Sequence, residues 1–139
     1  MAYLTLGPHL QAALLCERVT QGPDGLVSIV RLMDRIVVRA PKMLTEPAPS
    51  RVFCHAVVIL KTGSRPGKYK LRLVLTSPSG KLLGEFSFEV TLPNEPDQGV
   101  NLVMPIQFTA SEEGIYWFDV KLDGETLTRT SFRRVVLRT

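Results

Sequence analysis

Gly114-Ile115-Tyr116-Trp117-Phe118-Asp119-Val120-Lys121-Leu122-Asp123-Gly124 is the stretch whose reading decides the fold. Tyr116, Phe118, Val120 and Leu122 share one parity, whereas Asp119, Lys121 and Asp123 share the other. A period of two marks a β-strand with one buried face and one face in water. Asp123-Gly124 then reads as a hairpin turn, because both residues tolerate the positive φ of a type I′ turn. The return strand runs through Thr126 and Thr128 towards Phe132. A strand this apolar on one side requires a second sheet to cover it.

Upstream, the same period recurs. Leu102, Met104, Ile106 and Phe108 form an inward set, and Pro105 in their midst marks an edge strand or a bulge. Phe86, Phe88 and Val90 alternate with Glu85, Ser87 and Glu89, and Tyr69, Leu71, Leu73 and Leu75 with Lys70 and Arg72. Val52 to Leu60 is apolar on both parities, as in a central strand covered on both faces. Leu26 to Val38 is β-branched, and its parity blurs near Asp34, which predicts a bulge where a strand bends between sheets. Arg31, Asp34 and Arg35 are expected to form an ion-pair group at that bend. Residues 10–19 hold helix formers, with Leu10, Ala13 and Leu14 on one helical face. The turn cluster Gln21-Gly22-Pro23-Asp24-Gly25 and the strand beyond it favour a strand–turn–strand reading over a helix.

About eight strands with short turns predict an all-β, antiparallel two-sheet β-sandwich, immunoglobulin-like or related. The whole chain, 1–139, is read as a single domain, long enough to bury roughly 70% of its unfolded surface. The hydrophobic fraction of 45% and charged fraction of 22% are globular averages, which argues against disorder. No apolar run approaches the ~18 residues of a membrane span. Met1 to Pro8 lacks the basic head of a signal peptide, so a cytoplasmic protein is expected. The net charge of +4 is mild and its lysines and arginines are interspersed with acids; nucleic-acid binding is not expected.

Three stretches carry a resemblance. Ala13-Leu14-Leu15-Cys16-Glu17-Arg18-Val19 with Asp24-Gly25 and Ile29 to Arg35, then Pro66 to Leu73, then Glu113 to Val120, are similar to a bacterial family of uncharacterised small β-sandwich proteins. The resemblance spans nearly the whole chain. It implies a small cytosolic sandwich and carries over no activity or site residue. The Gly-x-Tyr pieces at Gly67–Tyr69 and Gly114–Tyr116 also resemble immunoglobulin-like and fibronectin-like sandwiches in general.

Candidate chemistry is sparse. His9, His55, Cys16 and Cys54 would form a metal site only if two strands lay side by side. Cys54 and His55 are consecutive on a strand and point to opposite faces, which also defeats a nucleophile–base pair. Both cysteines are expected as free, buried thiols. Glu112-Glu113, Glu95, Asp97 and Asp24 sit in loops, too few in each for a calcium site. The expectation is therefore no enzyme, no cofactor and no metal. Two function classes stand: a non-catalytic interaction or scaffold module, with a protein partner or a second copy, and a ligand-binding sandwich. The second would hold a small molecule or carbohydrate in end loops Pro41–Pro49 and Pro93–Gly99.

The interaction residues proposed from the sequence are Ile115, Trp117 and Phe132. Trp117 falls on the outward parity beside Asp119, and a two-residue turn at Asp123-Gly124 would bring Phe132 to the same face. The indole is either covered by the Pro41–Pro49 loop or serves as an anchor for another chain.

Overall fold

Nine β-strands and no helix form among the described residues, 7–43 and 47–139, of a computed structural model of the chain. In chain order they are β1 (His9–Gln21), β2 (Val27–Leu32), β3 (Arg35–Ala40), β4 (Ser50–Lys61), β5 (Gly67–Thr76), β6 (Leu82–Leu92), β7 (Gly99–Ala110), β8 (Gly114–Leu122) and β9 (Glu125–Arg138). They make two sheets, a first of order β2-β1-β4-β7 and a second of order β3-β9-β8-β5-β6. Every ladder is antiparallel except β3–β9, which is parallel. Most of the segment read for a targeting signal, and residues 44–46 of the Pro41–Pro49 loop, lie outside the described residues.

Residues 10–19 are strand, within β1. The ninth strand comes from the run Leu26–Val38, which divides into β2 and β3. The division falls where the parity blurs, and the chain leaves the first sheet for the second there. Arg31 takes a left-handed φ of 57°, and Met33 N donates to Leu15 O at 2.8 Å, which holds the crossing strand to β1. The expected ion-pair group is arranged differently. Arg31 pairs with Glu17 across the ladder at 3.0 Å, and Arg35 lies 3.8 Å from Asp34.

The inward faces supply the core: Val52, Cys54, Ala56, Val58 and Leu60 from β4, Met104, Ile106 and Phe108 from β7, and the alternating leucines and aromatics of β5 and β8. Such burial is the main stabilising term of the fold. Pro105 sits on edge strand β7, where the missing N–H faces no ladder partner.

The two Gly-x-Tyr pieces close as matched corners. Tyr116 Oη donates to Glu112 O at 2.6 Å, and Tyr69 Oη donates to Arg65 O at 2.6 Å, each reaching four residues back. Each follows a glycine of positive φ, Gly114 at 131° and Gly67 at 135°. The arrangement is that of the tyrosine corner of immunoglobulin-like sandwiches. Because β5 and β8 are antiparallel neighbours, the corners lock opposite ends of the second sheet. Beside the Tyr116 corner, the fully buried Arg134 guanidinium donates to Ser50 Oγ, Ser111 O and Ala48 O, at 3.2, 2.8 and 3.0 Å.

Phe132 requires a correction. The Asp123-Gly124 turn is the expected type, with φ of 47° and 84°. Beyond it, Val120 pairs with Thr128 but Lys121 pairs with Thr126, so Leu127 is an extra residue in β9. That bulge shifts the register by one, and a one-residue shift exchanges the two faces of a strand. Phe132 therefore lies opposite Tyr116, 1% exposed in the core, and not on the outer face with Trp117.

Candidate functional site

Ile115 and Trp117 do project from the outer face of the second sheet, both half-buried. Arg129 lies over the indole of Trp117, 4.5 Å from its centroid, and its Nε donates to Asp119 Oδ1 at 2.5 Å. Arg72 pairs with Glu85 on the same face at 2.8 Å. Two ion pairs thus cross this face beside Trp117. The described part of the Pro41–Pro49 loop is tied elsewhere, through Ala48 O to Arg134 and Lys42 N to Thr139 O.

The outer face of the first sheet is of another kind. Residues opposite one another in a ladder project from one face, and the ladders align Cys16 with His55 and Leu32, and Leu14 with Val57 and Val103. Phe53 stands on the same face of β4 with 65% of its surface exposed, Leu32 on β2 with 66%, and Val103 on β7 with 37%. Val57 and Cys16 on this face are buried, yet neither belongs to the core cluster. Arg18, Arg51 and Lys61 stand at outward positions of β1 and β4. Two shallow depressions, of about 270 and 210 Å³, flank Phe53. Glu17 lines both, and Arg31, Arg35, Leu32, Met33 and Ile36 line the smaller.

The two loops expected to share a ligand lie at opposite ends of the sandwich. Thr62 N and Gly63 N donate to Gln98 O and Pro96 O, which places the Pro93–Gly99 loop beside the end of β4. The Pro41–Pro49 loop leads into the start of that strand. The separation follows from a strand of twelve residues standing between them. A cleft of about 510 Å³ opens at the Pro93–Gly99 end, lined by His9, Arg65, Tyr69, Leu122 and Glu125, and by none of the described residues of either loop.

Reactive groups are quiet. Cys16 and Cys54 are free and buried. Burial pushes both thiols up, Cys54 to about 11 with a smaller contribution from the neighbouring Cys16. A protonated thiol is a poor nucleophile. Cys16, not Cys54, shares a face with His55, a cross-strand pair that only the register of β1 against β4 reveals. His55 Nδ1 lies 3.2 Å from Glu17 O, a structural contact between those strands. Among the described residues, no three His, Cys, Asp or Glu gather as a metal site would require. Ser79 Oγ donates to Glu112 Oε2 at 2.9 Å and joins the β5–β6 turn to the β7–β8 turn.

A family model for a family of unknown function matches residues 11–135, nearly the whole sandwich. The chain belongs to the DUF6941 family. This DUF6941 chain is similar to solved structures at low identity. An immunoglobulin-like protein from Pseudomonas aeruginosa is 14% identical with a TM-score of 0.48, covering 94% of this chain and 98% of that one. A CARDB domain from Pyrococcus furiosus, solved in complex with di-metal ions, is 12% identical with a TM-score of 0.45, over 96% and 100%. An alkylpurine DNA glycosylase from Pseudomonas fluorescens, bound to DNA with an abasic-site analogue, is 13% identical with a TM-score of 0.39. It is matched over 88% of this chain and 30% of its own. A comparison with curated proteins finds no match. Among the described residues of this DUF6941 chain, no helix is long and apolar enough to cross a membrane.

Proposed function

We propose that this chain is a non-catalytic interaction module that takes a protein partner on the outer face of its first sheet. The observation that supports the reading is the exposure of Phe53 on β4, a strand interior to its sheet. A large aromatic ring held in water on a rigid strand, amid Leu32 and Val103, costs hydration free energy that a partner would recover. Around Trp117 on the other sheet, the Arg72–Glu85 and Arg129–Asp119 ion pairs cross the face instead. The reading includes a reducing compartment such as the cytoplasm, supported by two free thiols.

A second reading, a small-molecule site, is favoured by the end cleft, which sets the cation of Arg65 and the anion of Glu125 around the ring of Tyr69. Capture from native lysate on immobilised wild-type and Phe53→Ser proteins separates the two. The interaction module retains a stoichiometric protein on the wild type and loses it on the variant. A small molecule seen by native mass spectrometry, with no protein retained, decides for the cleft.

A further inference from the structure

We infer that the occupant of the first sheet's outer face is an acidic amphipathic peptide segment, with its apolar side on Phe53 and its carboxylates on the arginines around it. The inference rests on the interaction-module reading and adds the partner's chemistry.

Charge and area both select this occupant. Around Phe53 stand Arg51 on the same strand face and Arg31 and Arg35 beside the smaller depression. The Arg31 and Arg35 side chains are 80% and 66% exposed. Glu17 offsets the first, at 3.0 Å from Arg31, and Asp34 lies 3.8 Å from Arg35, while Arg51 adds its charge from β4. The outward positions of β1, β4 and β7 add Arg18 and Lys61, and Glu17 is the acid that lines the two depressions. A field that is apolar at its centre and basic at its borders complements a segment of the opposite pattern. It repels a second copy of itself.

Area gives the same answer. Three strands spaced ~4.8 Å, over about seven residues of ~3.4 Å rise, present roughly 350 Å² of face, of which the apolar part is smaller still. A stable pair of folded proteins needs about 800 Å² from each side, so two rigid sheets packed face to face here would fall well short. A single peptide segment, docking its apolar residues into the hollows beside Phe53, matches the field. Edge pairing is opposed on one side by Pro105 in β7, and on the other by the brevity of β2 and the left-handed turn at Arg31.

Fluorescence anisotropy tests the inference with two labelled synthetic peptides, one amphipathic in leucine and glutamate, the other its leucine–lysine counterpart. The glutamate peptide is expected to bind the wild type, with affinity falling as sodium chloride is raised. Phe53→Ser is expected to weaken it at least about tenfold. Arg51→Glu is expected to weaken it about fivefold. Both positions are exposed, and unchanged melting curves verify that the variants fold. Equal binding of the two peptides, or binding by neither, overturns the acidic assignment and leaves the interaction module to the lysate capture. Binding undiminished in both variants removes this face as the site. A Phe53-dependent dimer in sedimentation gives the face to a second copy and overturns the peptide.

Discussion

The rings of Tyr116 and Phe132 lie stacked across the β8–β9 ladder, their centroids 4.8 Å apart and their planes within 5°. Phe108 packs against Phe132 at 5.5 Å and against Phe118, edge to face, at 5.8 Å. The pair therefore joins the tyrosine corner to the aromatic centre of the core. Phe132→Ala is expected to cost about 3–5 kcal/mol, by loss of transfer free energy and the cavity left behind. Tyr116→Phe keeps the ring and removes the bond to Glu112 O, for about 1 kcal/mol. Chemical denaturation of the two variants checks the order. Equal losses would mean that the ring stack contributes little.

Trp117 is half-buried beneath Arg129, and Trp117→Ser is expected to cost about 1–2 kcal/mol, from apolar area and the cation–π contact. Sedimentation should show unchanged assembly. Loss of self-association with an unchanged melt would instead identify Ile115 and Trp117 as an interface.

Arg134 fixes the entry to β4 by donating to Ala48 O, Ser50 Oγ and Ser111 O. Arg134→Met fills much of the volume but leaves those buried acceptors without their donor. Its expected cost is about 3 kcal/mol. Hydrogen exchange should quicken first at residues 48–52, and a uniform change along the chain would contradict this anchoring role.

The hydrogen bond from Ser79, aided by Ser77 and the charge of Lys81, holds the Glu112 carboxyl below its usual range. The folded chain thus favours the ionised form. Its contribution is complete above the unfolded carboxylate's pKa and is lost as pH falls through the folded one. Glu112→Gln should melt below the wild type at neutral pH and converge with it in acid. Parallel curves across that range would remove the linkage.

Cys54 runs in the opposite sense, since burial raises its pKa to about 11. The unfolded thiol ionises first, so stability declines as pH rises from the unfolded value towards the folded one. Thiol titration at neutral pH should find neither cysteine in the native protein and both after denaturation without reductant. A silent denatured sample would show a disulfide.

Alternation makes β5 to β8 legible from the sequence, because each has one apolar parity and one that carries polar or charged residues. The Asp123-Gly124 turn was equally plain. What hid was anything set by register or topology. The extra Leu127 turns Phe132 inward, and nothing in Thr126-Leu127-Thr128 announces it. Val52 to Leu60 looked covered on both faces because both parities are apolar, yet one face is open at Phe53. That double apolar parity was the available signal for the candidate site. It is equally the signature of a fully buried strand, and composition alone cannot separate them.

The lone parallel ladder, β3 with β9, has a kinetic consequence. Arg35 and Arg133 are partners about a hundred residues apart in the chain, so their loop is among the last that a folding polypeptide closes. Until then β9 lacks a neighbour on one side, and Val37 and Val38 have none on the other. Refolding should be slow for the chain's size, on the scale of milliseconds to seconds. In the interval β9 is the strand most open to capture by another molecule, and crowded refolding would show this as aggregation that falls when Val135 is made lysine.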